Sequence, residues 1–175
     1  MSSLESVAGI IFNANRTQVL LIKRRDVPVW VLPGGGIEEM ESPENAVIRE
    51  ILEETGLTVK VSRVVGLYTP INRLSRKTAL YECTCITGEL SLSSETCGVA
   101  FFSLNALPKL IPPPYLEWIE EAYSIGPLIK RSLKSVSYAS LLRNFLCHPV
   151  LVVRFFLARL GLAINSKGSN TIRKK

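Results

Sequence analysis

Three glutamates, Glu50, Glu53 and Glu54, stand beside Arg49 in a stretch that opens on Gly34-Gly35-Gly36 and closes on Gly56. Glu50 lies three and four residues before the other two, so on a helix their side chains emerge within about one turn of each other. Carboxylates crowded in this way repel, and a helix shaped for stability alone would carry lysines among them. They suit a hard divalent cation, which takes oxygen ligands and, as Mg²⁺, keeps waters and reaches substrate phosphates. The glycines let main chain approach a ligand closely and offer it amides and carbonyls. An acidic solvated helix face is the plainer reading of the glutamates alone, and the glycine turn in front weighs against it.

The helix that carries them has its ends written in the sequence. Ser42 is a good N-cap, because its hydroxyl can accept from a free amide of the first turn. Pro43 sits where a missing N–H costs nothing, and Gly56 follows the last periodic residue as a stop. At ~100° per residue, Val47, Ile48, Ile51 and Leu52 fall on one arc and the three glutamates on the other.

The pattern Gly35-x5-Glu41-x7-Arg49-Glu50-Ile51-x-Glu53-Glu54-x-Gly56-Leu57 resembles the Nudix box at every defined position. The resemblance implies an α/β/α sandwich around a mixed sheet, covering roughly residues 5 to 125. It also implies a pyrophosphohydrolase that uses Mg²⁺, with Mn²⁺ as a substitute. By that likeness Glu50, Glu53 and Glu54 hold the metal, with the Gly34 carbonyl as a further ligand. Arg49 keeps the carboxylates in place, Glu41 pairs with it structurally, and Gly56 ends the helix. The chemistry is sound on general grounds, since a divalent cation neutralises diphosphate oxygens and acidifies a bound water. A nearby carboxylate can then take the proton. Glu53 is the first candidate for that base and Glu50 the second.

Composition sets the frame. The chain has 175 residues, enough for one domain with a real core and an appendage, and 47% of them are hydrophobic. Its net charge of +6 contrasts with the acidic box, so the positive charge lies elsewhere, much of it in the last fifty residues. A basic surface suits anionic substrates, anionic lipid or nucleic acid without choosing among them. Cys83 and Cys85 alternate on a predicted strand with no C-x-x-C or histidine partner, so reduced, buried thiols are expected in place of a zinc site or disulfide framework. The opening MSSLESVAG lacks the basic and apolar regions of a signal peptide.

Taken in order, residues 7–12 read as a buried strand and 18–23 as a second, joined by a polar turn into a hairpin. Arg24 and Arg25 follow, placed to face substrate phosphates together with Gly35 and Gly36, or simply solvated at a strand exit. Trp30, in a short strand before the glycine turn, could stack a base or pack at the core's rim. Strands are expected over 58–68 and 78–87, with a polar basic loop over 69–77 between them, the kind that selects a substrate's non-phosphate half. Glu95 matches a Nudix glutamate that precedes a strand, either near the metal or as a turn cap. Gly98 stands where an acidic residue often follows, which favours the box glutamates as base. Three prolines, 112–114, lead into a last helix over Tyr115 to Tyr123 with Trp118 in its packing stripe.

The predicted domain therefore ends near 125. Residues 126–164 form an apolar, basic helical extension broken at Pro149, and 165–175 a polar basic tail expected to be disordered. No uncharged run in the extension reaches the ~20 residues of a spanning helix. Packing on the core or on a second copy, and lying on an anionic membrane surface, both stay open. His148, beside Pro149, reads as a surface or packing residue.

The sum is a Mg²⁺-dependent pyrophosphohydrolase of nucleotide-derived small molecules. ADP-ribose-like or nucleotide-sugar compounds come first and nucleoside triphosphates second, with no specific nucleic acid. The alternative is a non-catalytic nucleotide-binding protein. Localisation is expected to be cytoplasmic, at most peripheral to a membrane, with homodimerisation open.

Overall fold

The computed structural model describes residues 4–147, 149–160, 162 and 171–173. Its elements run β1 (Ser6–Ile10), β2 (Gln18–Arg24), β3 (Trp30–Val31), α1 (Pro43–Thr55), β4 (Leu57–Pro70), β5 (Thr78–Gly88), β6 (Thr96–Ser103), α2 (Tyr115–Tyr123), β7 (Ile129–Leu133), α3 (Tyr138–Cys147), α4 (Pro149–Arg159) and β8 (Thr171–Arg173). They form two mixed sheets, ordered β1-β5-β4-β7 and β3-β2-β6-β8. In the first, β5 runs parallel to β1 and antiparallel to β4, and β7 adds parallel to β4. In the second, β2 is antiparallel to β3 and β6, and β8 adds parallel to β6.

Alternation along the strands divides the core between two helices. Val7, Leu20, Ile22 and Val31 meet Val47 and Ile51 of α1. Their neighbours Ala8, Ile10, Val19 and Leu21 meet Trp118, Ile119 and Ala122 of α2. This is the expected α/β/α arrangement, with the strands shared between two sheets.

The expected hairpin closes only at its tip. Asn13 Oδ1 accepts from the amides of Thr17 and Gln18 at 2.8 and 3.0 Å, and Phe12 bridges Val19. Beyond that bridge β1 pairs with β5 and β2 with β6, because each is apolar on both faces and is buried by joining a different sheet. The cysteines part company too. Cys83 and Cys97 are buried, whereas Cys85 is exposed because β5 runs on past the core from Thr84. Burial pushes the Cys83 thiol up to about 12.

The extension begins inside the sheet. Leu133 at the end of β7 is 1% exposed and belongs to the α2-side core. Arg131 reaches back to α2, with Nε 2.8 Å from Glu121 and Nη2 2.5 Å from Glu117. Tyr68 donates its hydroxyl to the same Glu121. Further on, α4 is fastened by Arg154, which donates to the carbonyls of Asp26 (2.7 Å) and Arg25 (3.2 Å). No helix among the described residues is long and apolar enough to cross a membrane. His148 and most of the tail lie outside the described residues, but Thr171–Arg173 pair with β6 where the sequence leads one to expect no order.

If the extension is part of the fold, Leu133→Ala leaves a cavity under β7 and costs about 2–4 kcal/mol in urea unfolding. A loss below roughly 0.5 kcal/mol, the range of an exposed site, would show that β7 contributes nothing to the core.

Candidate active site

The box helix takes its predicted form. Ser42 Oγ accepts from the Asn45 amide at 3.2 Å, Pro43 fills the first turn, and Gly56, at φ 76°, donates its N–H to Leu52 O at 2.9 Å. The buried arc differs from the expected one. Leu52 is 47% exposed, whereas Glu54 is 8% exposed. Glu54 comes seven residues after Val47, which on a helix returns it to within ~20° of that core residue. It therefore points inward beneath the glycine turn, where its Oε2 accepts from the Gly34 amide at 2.8 Å.

That turn is packed against β1 and α1 together. The carbonyls of Pro33 and Gly35 accept from Gly9 and Val7 of β1 at 2.8 and 2.9 Å, and the Gly36 carbonyl accepts from Arg49 at 3.1 Å. Gly34, at φ 152°, would put a Cβ 2.3 Å from the Val7 carbonyl, and a Cβ on Gly35 would lie 2.4 Å from Glu50 Oε1. A side chain at Gly34 would push the turn off β1, and one at Gly35 would displace the Glu50 carboxylate. Among the described residues the Gly34 carbonyl accepts no hydrogen bond.

Arg49 gathers the acids. It binds Glu41 bidentately, Nε to Oε1 and Nη2 to Oε2, both at 2.9 Å. Nη1 lies 3.0 Å from Glu50 and 3.5 Å from Glu53. The guanidinium holds the Glu41 carboxyl down to about 2. Burial, reinforced by Glu53 and Glu95, raises Glu50 above the ordinary carboxylate range despite Arg49. Glu54 is raised to about 8, first by burial, with Glu50 and Glu95 adding to it and the Gly34 amide and Arg24 opposing. Glu95 thus acts on both box carboxylates through space while its main chain shapes a turn, with Ser93 Oγ accepting from its amide at 3.1 Å.

Beyond the glycines lies a cavity of about 700 Å³, lined by Gly34, Gly35 and Gly36 together with Arg24, Arg76 and Lys109. Carboxylates on one side of the turn and cations on the other is the arrangement a diphosphate needs. Arg24 is pinned to Asp26 through Nε at 2.9 Å and Nη2 at 2.5 Å. Arg25, paired with Arg24 in the sequence reading, does not line the cavity. It clamps the carbonyls of Ser94 and Thr96 at 3.1 and 2.8 Å. Trp30 packs edge-on against Phe102 at 4.6 Å. Lys109 escaped the sequence reading. The Pro112–Pro114 run that folds its loop over the cleft was the available signal.

A family model, the NUDIX domain, matches residues 3–122. The chain belongs to the Nudix family. It is a hydrolase acting on phosphoric anhydride bonds, and its non-catalytic alternative finds no missing box group to rest on. Over 125 residues it is 39% identical to an ADP-ribose pyrophosphatase of Methanocaldococcus jannaschii, covering 65% of this chain and 73% of that one. A Bacillus subtilis protein named as a candidate 8-oxo-dGTP diphosphatase is 38% identical over 106 residues, 59% of this chain and 69% of its own. The crystal structure of an ADP-ribose pyrophosphatase from Streptococcus suis superposes with a TM-score of 0.61 at 28% identity, covering 75% of this chain and 99% of that one.

The family implies a divalent cation, and the donor set can be tested for it. Among the described residues no three acidic, His or Cys side chains are already drawn together around one point. Yet Glu54 is buried and Glu50 half-buried, both raised first by burial and then by neighbouring carboxylates, a cost that a cation would relieve, and the unbonded Gly34 carbonyl adds a neutral oxygen near Glu54. Glu53, its side chain 59% exposed, is free to swing inward. The residues fit a hard cation.

Without metal, Glu54 makes stability fall with pH. Its folded pKa lies above the ordinary value of 4.5, so the neutral form fits the fold and the anion does not. Glu54→Gln keeps an acceptor for Gly34 and removes the charge. In EDTA its stability should match the native chain near pH 4 and exceed it by roughly 2–4 kcal/mol above pH 8, with the gap opening between. Parallel stability curves from pH 4 to 9 would show that Glu54 is ionised throughout.

Proposed function

We propose that the chain hydrolyses the diphosphate of nucleoside diphosphate derivatives, ADP-ribose-like and nucleotide-sugar compounds before nucleoside triphosphates, with Mg²⁺ as its cation. The observation that carries this reading is the glycine turn, which has carboxylates on one side and the cation-rimmed cavity on the other. A cavity of about 700 Å³ has room for the nucleoside or sugar that lies beyond the phosphates. The pyrophosphatase names of its relatives support the same class.

The diphosphate lies along the Gly34-Gly35-Gly36 backbone, with Arg24, Arg76 and Lys109 balancing its charge. Glu54, Glu53 and the Gly34 carbonyl would hold the cation, which would screen the phosphate oxygens and acidify a water. Arg49 keeps Glu50 against Gly35 through Oε1. Glu50 Oε2 has no hydrogen bond among the described residues, so it can take the proton of the attacking water. As the new P–O bond forms, the bond to the bridging oxygen breaks and a phosphate monoester leaves. We therefore place Glu50 ahead of Glu53 as the base, the reverse of the order the sequence suggests. Glu50 is half-buried with a raised pKa, whereas the solvated Glu53 is the better movable ligand.

Kinetics separates these roles. Glu50→Gln should lower kcat about 10²–10⁴-fold with KM little changed and flatten the acid limb of the pH profile. Glu53→Gln should mainly raise the Mg²⁺ concentration needed for half activity. The opposite pattern would return the base to Glu53. A substrate panel with ADP-ribose, sugar nucleotides and nucleoside triphosphates tests the class, and fastest turnover of a triphosphate would overturn the preferred order.

A further inference from the structure

The helical pair α3–α4 has two apolar faces. Its inner face, through Leu141, Val152 and Phe155, walls the cavity. Its outer face exposes Tyr138, Leu142 and Leu146, spaced four apart along α3, and Val150, Val153 and Phe156 along α4. All six are between 44% and 75% exposed. A stripe of this length on a helical pair is a surface built to be covered.

Charge decides what covers it. Residues 126–175 hold ten lysines and arginines and not one aspartate or glutamate, so the remaining 125 residues are net acidic although the chain as a whole is +6. Among the described cations, Arg131 is committed to α2 and Arg154 to the Asp26 and Arg25 carbonyls. Arg143 and Lys134 stand exposed on and beside α3. A second copy docking on the same face would bring its own uncompensated positive charge against this one. Nucleic acid would match the charge but leave the apolar stripe in water. An anionic lipid surface matches both, taking the apolar side chains into the acyl boundary and the cations among the headgroups.

We propose that the outer face of α3–α4 docks the enzyme on an anionic membrane surface. Because the inner face walls the cleft, docking sets the substrate cavity beside the bilayer.

The test is vesicle co-sedimentation of the full chain. The vesicles are phosphatidylcholine alone, or phosphatidylcholine with phosphatidylserine at roughly three to one. Binding to the anionic vesicles should exceed binding to neutral ones by at least about tenfold and fall as salt rises. Leu142→Glu with Leu146→Glu should abolish it, while an unchanged circular-dichroism spectrum and melting temperature show that the variant is folded. Equal sedimentation with and without phosphatidylserine, or binding that the double variant retains, would overturn the proposal. So would a dimer that the double variant dissociates in the absence of vesicle binding. Tighter binding to a DNA duplex than to anionic vesicles, unaffected by the double variant, would assign the charge to nucleic acid.

Discussion

Arg49 is the point on which the site balances. One guanidinium is bonded to Glu41, Glu50 and the Gly36 carbonyl and reaches Glu53. Without it the carboxylates would meet as bare like charges at one end of a helix, in part-buried surroundings where repulsion is strong. The same residue ties α1 to the glycine turn, so electrostatics and chain path are set together. Glu41 is the partner that leaves least freedom. Its bidentate pairing fixes the plane of the guanidinium, and with it the direction in which Glu50 is held. A lysine in place of Arg49 could supply the charge but not these several directed bonds.

Glu54 is the second constraint, and it opposes the first. Arg49 draws the outer carboxylates together by direct bonds, while burial pushes Glu54 toward its neutral form. The two glutamates of the Glu53-Glu54 pair are adjacent in sequence, yet one is solvated and the other lies under the turn. Environment, more than residue type, gives them separate work. Stability held back at Glu54 in the free protein is the natural counterpart of an affinity for cations, because the ion that relieves the burial cost also binds.

The sequence carried the helix, its caps and the box because these depend on neighbours within a few residues. Ser42, Pro43 and Gly56 act locally, and so does the pairing of Arg49 with Glu41. Where the reading strayed, distant partners decided. Leu52 and Glu54 were placed by a charge-versus-apolar division of the wheel, but the glycine turn supplies a polar partner for Glu54 inside the core. Arg25 looked like a phosphate ligand beside Arg24, yet the carbonyls of Ser94 and Thr96, some seventy residues on, claim it. The hairpin failed for the same reason, since β5 and β6 offer β1 and β2 longer pairings than they offer each other.

The extension shows how far such distant pairing reaches. By composition the chain changes character after residue 125, and the sequence leaves open whether that segment packs on the core, on a second copy or on a membrane surface. In the structure β7 completes the edge of a sheet, Arg131 anchors α2, and Arg154 fastens α4 to the loop that presents Arg24. Arg24 lines the cleft and lowers the cost of ionising Glu54. Arg154 thus holds α4 against Arg25 and Asp26, the two residues that follow Arg24, and Asp26 in turn pins Arg24. The segment that composition sets apart from the site is joined to it by two hydrogen bonds and one ion pair.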